Sequence, residues 1–282
     1  MAIPKIFALV MIVTTMLSAG LQVNLQEIGA ILRRYDVLLK ALLANFVLVP
    51  LFAWLLLRAF HVQEDVSIGI LLMAMSPGVP FLVNSAGRKQ GGSLSFVLVI
   101  AFLFSALSVV TIPITAALLF PHDINVPAVN FLTTLVGFQL VPLVLGAAIG
   151  PRLSEKSAGT SIRILHLVFL AATLALAVVL VPKLIASVTS VYGFGQLAII
   201  AAIGLFALAV GWLLGGPDRA YRRTLSIGTL MRNIGLCALI GTSDFADTLV
   251  VPAVISYFAI TFILSLPVRM YYKRTSDAAV AR

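Results

Sequence analysis

The sequence predicts an all-α, polytopic membrane protein with nine transmembrane helices, and three observations lead there. The first is composition. Of 282 residues, 61% are apolar and only 10% charged, and the mean hydropathy is +1.12, well outside the range of soluble domains. The second is that the apolar residues fall in runs of about twenty, the length that crosses a hydrocarbon core as helix. The third is the placement of lysine and arginine, which alternates from one inter-run loop to the next.

The runs, in chain order, are 3–24, 37–60, 67–87, 93–120, 126–149, 161–187, 194–215, 222–243 and 246–272. Lys5, the apolar stretch after it and the small residues Ser18, Ala19 and Gly20 have the outline of a secretory signal. The apolar stretch nevertheless runs on to Val23 without a boundary, so this segment is read as a retained first span. Together the spans form a single transmembrane domain over 1–282, with 273–282 read as a cytoplasmic tail.

Orientation follows from the basic residues. The odd-numbered loops and the tail hold Arg33, Arg34, Lys40, Arg88, Lys89, Arg152, Lys156, Arg163, Arg219, Arg222, Arg223, Arg269, Lys273, Arg274 and Arg282. The other side holds only Lys5, Arg58 and Lys183. A 15-to-3 split would not survive a miscounted span, and it places the amino terminus outside and the carboxyl terminus in the cytoplasm of a cell that keeps this protein in its plasma (inner) membrane. The same asymmetry accounts for the net charge of +9, so no nucleic-acid partner is inferred. The lone cysteine, Cys237, excludes an intramolecular disulfide and a multi-cysteine metal site. His61, His122 and His166 are scattered and no hydrolase, zincin or phosphate-loop motif occurs, so the chain is not read as an enzyme and no metal or cofactor is expected.

Two spans are interrupted. The third carries Ser76, Pro77, Gly78, Val79 and Pro80, where prolines and glycine remove helix donors. The eighth carries Gly228 and Gly235 around Arg232, which lies nine residues past Arg223, or about 14 Å along a helix and near mid-bilayer. A charge at that depth costs from about 3 to above 10 kcal/mol and tends to mark a protein-lined pathway. Each interrupted span precedes a long apolar one with a proline, Pro113 in the fourth and Pro252 or Pro267 in the ninth. The two spans run in opposite directions, the arrangement of inverted repeats, about 1–120 and 126–272, with a binding site where the breaks meet. All ten acidic residues lie in loops or at span ends, so Arg232 has no mid-membrane carboxylate to pair with. Backbone carbonyls freed at a break, the amide oxygens of Asn45 or Asn84, or an anionic ligand are the acceptors left for its five donors. Ser76, Asn84, Asn45, Thr229, Arg232 and Asn233 are the candidate cavity residues, and Gln139, Ser95, Ser105, Thr133 and Thr134 are further polar residues within spans.

From about Met16 to Met270 the chain resembles the bile acid:sodium symporter family and its wider relatives. Asn45 to Ala53 is similar to the family's Gln-(aromatic)-x-x-Met-Pro-Leu stretch, Ser76 to Asn84 to its Cys-Pro-Gly-Gly break, and Gly91 to Ser95 to its entry into the next helix. Ser226 to Leu236 resembles its Ser-x-Glu-x-Gly-Met-Gln-Asn-Ser-Gly-Leu segment, and Met16 to Val23 its Met-Gly-Leu segment. The resemblance implies a panel and a core built from two inverted five-helix repeats, with two broken helices crossing in the core. It also implies that nine spans lack the first of the family's ten, and that the third and eighth spans here are the crossed pair, broken at Pro77, Gly78, Pro80, Gly228 and Gly235.

The departures bear on chemistry. On this alignment the family's sodium-ligating glutamate falls at Gly228 and its sodium-site glutamine at Arg232. Ser95 keeps a hydroxyl, but the threonine one turn on is Val99. Losing a carboxylate and gaining a cation within four residues disfavours a bound sodium ion. The expectation is therefore alternating-access transport of a small organic anion across the lipid bilayer with sodium coupling in doubt. The alternatives are sodium symport through rebuilt sites, or a non-transporting receptor or assembly partner on the same fold.

Overall fold

The computed structural model describes residues 2–23, 28–29, 31, 33–78, 93–120, 128–187, 193–245 and 248–280, with side chains for all of these except 2, 94–95, 128, 180–187, 193–194 and 277–280. Among them every regular element is helical. Among the described residues seven helical segments are long and apolar enough to cross a membrane. Five of these crossings are α1 (Ala2–Leu21), α5 (Leu94–Leu119), α8 (Glu155–Ser187), α9 (Gly193–Leu214) and α12 (Val250–Val280). The other two each join a pair of helices through a π-turn, α2 (Tyr35–Leu43) to α3 (Val49–Ala59) and α6 (Ala128–Thr134) to α7 (Val141–Ile149). What remains are shorter helices, α4 (Glu64–Met75), α10 (Arg219–Leu230) and α11 (Ile234–Asp244).

The seven crossings match seven of the nine runs expected from sequence, and the other two are the interrupted ones. The eighth run is two helices end to end, α10 and α11, separated by Met231, Arg232 and Asn233. The third is helical as α4 up to Met75; Pro80, Asn84 and the remainder of that run lie outside the described residues. Helix α12 continues through the segment expected to be a tail as far as Val280, because nothing between Lys273 and Val280 breaks a helix.

The two π-turns share a cause and nearly a sequence. Phe46 to Leu51 reads Phe-Val-Leu-Val-Pro-Leu and Phe138 to Leu143 reads Phe-Gln-Leu-Val-Pro-Leu. A proline inside a helix has no N–H and its ring crowds the carbonyl four residues back. Here the ladder widens just before it, with the Val49 amide donating to the Ala44 carbonyl and the Val141 amide to that of Val136, each five residues back. Asn45 lies in the first widened turn and Gln139 in the second, and both side chains are buried.

The helices pack in two groups, with α11 against both. In one, α1 lies between α7 and α8; in the other, α9 packs on α10, α4 on α12 and α3 on α4. Close approach depends on glycine. A Cβ on Gly146 would collide with the Leu17 carbonyl and lie 2.9 Å from the Gly20 Cα, and one on Gly69 would lie 2.6 Å from the Ala253 side chain. Small residues at helix contacts are the usual way for membrane helices to gain dispersion energy, since lipid tails are as apolar as leucine. Outward faces are apolar: Leu39, Leu43, Val47, Leu51 and Leu55 form an exposed stripe at four-residue spacing down α2 and α3. At the end where α9 finishes and α10 begins, Arg222 lies over Trp212 and Arg223 over Tyr272, with ring distances of 5.8 and 5.4 Å. Basic and aromatic side chains of this kind occupy membrane–water interfaces.

Replacing Gly146 with leucine would force α1 and α7 apart, whereas Gly159 on α8 has nothing within 4 Å of a built Cβ. Gly146→Leu is therefore expected to lower stability by about 1–3 kcal/mol or more, and Gly159→Leu to leave it within about 0.5 kcal/mol. Thermal unfolding of the two variants in detergent, followed by size-exclusion chromatography, checks the contrast.

Candidate functional site

The site begins with a backbone problem. Pro77 cannot donate a hydrogen bond, and the residue before a proline avoids helical dihedrals, so α4 ends with Ser76 extended at φ −104°, ψ 91°. In the other broken helix Met231 is extended at φ −79°, ψ 133°, and the last helical bond of α10 is from the Met231 amide to the Ile227 carbonyl at 3.0 Å. Asn233 restarts the chain as the cap of α11, its Oδ1 accepting from the Leu236 amide at 3.2 Å.

The two extended pieces pair with each other. The Gly78 amide donates to the Met231 carbonyl at 3.0 Å and the Asn233 amide to the Ser76 carbonyl at 3.1 Å, an antiparallel bridge with Pro77 opposite Arg232. Gly78 is required by this approach, since a Cβ there would collide with the Met231 carbonyl. Gly228 and Gly235, expected to interrupt the eighth span, both lie inside helices, α10 and α11. A helix interior tolerates glycine, and Gly235 is used for packing: a Cβ on it would sit 3.2 Å from the Ile12 amide of α1.

Arg232 is the largest fully buried side chain among the described residues. Its Nη1 donates to Asn45 Oδ1 at 3.4 Å. Asn45 is oriented by its own amide, whose Nδ2 donates to the Ala41 carbonyl at 2.9 Å and to the Thr229 hydroxyl at 3.2 Å. Nε and Nη2 of Arg232 have no hydrogen-bond partner among the described residues. On the far side of the break Asn233 donates from Nδ2 to Gln139 Oε1 at 3.3 Å, and Gln139 Nε2 donates to the Ser105 carbonyl at 2.7 Å and the Ser108 hydroxyl at 2.5 Å.

Of the residues expected from sequence, the structure therefore brings Asn45, Thr229, Arg232, Asn233 and Ser76 to one crossing. Asn84 lies outside the described residues, as does the side chain of Ser95, while Val99 is buried in α5. Three neighbours were not among them. Gln139 was legible only as a polar residue in a span; comparing its segment with that around Asn45 would have singled it out. Tyr257 and Cys237 face the guanidinium from α12 and α11, and Cys237 Sγ also donates to the Leu72 carbonyl at 3.4 Å. No group of three or more His, Cys, Asp or Glu side chains able to hold a metal occurs among the described residues.

In a multi-pass helical chain of this kind, irregular backbone such as Ser76–Gly78 and Met231–Asn233 is tolerated at membrane depth where it is enclosed by protein. Comparison with known proteins gives the family. The model of the sodium bile acid symporter family matches residues 9–190, and the chain belongs to that family. It is 28% identical over 237 residues to human sodium/bile acid cotransporter 4, covering 80% of this chain and 53% of that protein. The human P3 protein is 26% identical over 147 residues, 50% of this chain and 30% of the relative. The chain thus spans about half or less of the length of these relatives. The family match ends before the second break, so Arg232 lies beyond it.

Asn45→Ala removes the acceptor from a buried cation and is expected to cost about 1–3 kcal/mol of stability. Asn45→Asp keeps the shape and adds a counter-charge, so it should retain more stability than the alanine variant. Thermal melting of both against the parent checks the order; equal losses would mean that Asn45 Oδ1 gives Arg232 nothing.

Proposed function

We propose that this protein is a secondary transporter of a small organic anion, working by alternating access about the crossing of the third and eighth spans, and that it binds no sodium ion there. The observation that carries the proposal is the fully buried Arg232 guanidinium with two nitrogens unpartnered among the described residues. A cation is fixed where the family resemblance expects a sodium site, and its free edge suits a carboxylate, sulfonate or phosphate. In this reading Asn233, Asn45, Thr229 and Ser76 bind the substrate with Arg232, Asn84 is assigned to the same role from the sequence alone, and Gly228 and Arg232, with Ser95 and Val99, stand at the positions of the family's ion site. The nine-span count, the inverted repeats about 1–120 and 126–272 and the panel-and-core division belong to this reading, supported by the broken α10–α11 pair and by α4 ending at its partner break. The protein lies in the plasma (inner) membrane with its amino terminus outside, on the strength of the 15-to-3 charge asymmetry.

The names of the family and of its human relative favour the second reading, sodium symport of a bile acid. Against it stand the missing carboxylate and the resident cation, whose repulsion for a sodium ion is strongest where water is excluded.

One experiment separates these and the receptor alternative. Proteoliposomes carrying the purified protein are incubated with external labelled organic anions, a bile acid among them, in sodium or in choline buffer. Uptake is expected to be the same within about twofold in the two buffers, and Arg232→Gln to reduce it about tenfold or more, the scale of one lost charge-assisted hydrogen bond. Steep sodium dependence overturns the sodium-free reading, and the absence of flux from folded protein favours a receptor.

A further inference from the structure

Away from the crossing, the turn between α9 and α10 builds a second feature. Helix α9 stops at Leu214, and Gly215 and Gly216 reverse the chain, Gly216 at φ +77°, a dihedral that favours glycine. A Cβ on Gly215 would collide with the Arg222 Cα, so the close return of α10 requires glycine there as well. That return lays Arg222 over the Trp212 ring at 5.8 Å, with its Nε donating to the Gly216 carbonyl at 2.5 Å. Trp212 in turn stacks on Tyr272 of α12, the ring centroids 5.7 Å apart.

These rings wall an open groove of about 390 Å³ between α9 and α12, lined by Trp212, Pro267, Val268, Tyr271 and Tyr272. Leu213, Leu266 and Met270, next to the lining residues in the chain, are exposed, so the groove lies on the apolar outer surface of the helices. Its rim is cationic. Arg222 stands over one wall, and Arg274, exposed, lies three residues beyond Tyr271 and seven beyond Pro267 on one continuous helix, which puts it on the same face of α12. Arg223 adds a further cation beside them, its Nη1 donating to the Tyr272 carbonyl at 3.3 Å and its Nη2 to the Thr275 hydroxyl at 2.8 Å. From Asp218 to Arg223 and from Arg269 to Val280 there are six basic residues, Arg219, Arg222, Arg223, Arg269, Lys273 and Arg274, against two acidic ones, Asp218 and Asp277. Asp218 is committed to the Ala220 amide at 2.7 Å.

An apolar groove with a cationic rim suits an amphipath with an anionic head. A soluble anion gains nothing from the groove, and a zwitterionic lipid brings a cation of its own to the arginines. Basic pockets between membrane helices recruit anionic head groups in this way. We propose that the groove holds one anionic phospholipid, with an acyl chain along Trp212, Pro267 and Tyr271 and the phosphate between Arg222 and Arg274. The lipid then ties α9, α10 and α12 together. The site stands whether or not the protein transports, since it uses none of the residues at the crossing.

The test uses the full chain purified in detergent and titrated with phosphatidylglycerol or with phosphatidylcholine of the same chains, the retained lipid being counted by native mass spectrometry. Phosphatidylglycerol is expected to be retained about tenfold better, and Arg274→Gln to cut its retention about fivefold, the worth of one basic residue near an anionic surface. Arg274→Lys should restore it. Arg152→Gln removes the same charge just past α7, where the chain packs on Leu21 of α1, and should leave retention within about twofold. Arg274 is exposed, and melting without lipid confirms that its variants are folded. Glycerol 3-phosphate in about hundredfold excess should not displace the lipid, because it lacks the chains that fill the groove. Equal retention of the two lipids, indifference to Arg274→Gln, or equal losses in Arg274→Gln and Arg152→Gln overturns the site in favour of general surface charge. Displacement by glycerol 3-phosphate overturns the lipid assignment in favour of a free phosphate.

Discussion

Two backbone hydrogen bonds, Gly78 to Met231 and Asn233 to Ser76, are the constraint on which the rest of the site depends. A helix broken inside a bilayer frees amides and carbonyls that water cannot reach, and each unpaired group costs several kcal/mol. Two breaks set face to face satisfy one another, which neither could do alone. The solution imposes a register, Pro77 opposite Arg232, and a glycine at position 78 where the strands are closest. It also joins α4 to the α10–α11 pair, so that these helices must keep their relative placement in any movement that leaves the bridge intact.

Around this crossing the two π-turns act as brackets. Each lies ahead of a proline, in Phe46–Leu51 and Phe138–Leu143, and each delivers one amide side chain, Asn45 to Arg232 and Gln139 to Asn233. A widened turn is well suited to this, because it displaces a side chain from the regular helical face without ending the helix. The two brackets belong to different packing groups. Asn45 sits beside α10, whereas Gln139 belongs to the α6–α7 crossing packed on α1 and reaches over to α5 and α11.

Much of this was legible in the sequence because membranes enforce simple rules. Seven crossings lie where apolar runs of spanning length lie, and the two interrupted runs are the two that are not single long helices in the structure. Arg232 was legible as well, since a charge at mid-span has few places to go but inward. The break itself was placed less well. Gly228 and Gly235 look like breakers by composition but are helical, while the actual interruption at Met231–Asn233 is stabilised by pairing with a segment over 150 residues away in sequence. No local pattern encodes that. Tyr257 escaped for the same reason: in α12 it reads as an ordinary aromatic, and its importance comes only from what it faces.

The fold of the crossing does not depend on the chemistry of the side chain at position 232. Arg232 takes part in the bridge through its backbone, as Met231 and Asn233 do on either side. The pairing thus constrains the backbone around position 232 and says nothing about its side chain. By contrast Gly78 is held to its identity by the space available. The Arg232 side chain projects into the enclosed cluster with Asn45 and Tyr257. Architecture is therefore set by backbone amides and carbonyls, and the charge buried at the crossing by a single side chain. Family membership rests on the match over residues 9–190, which ends before Arg232, so it carries no statement about the chemistry of that position.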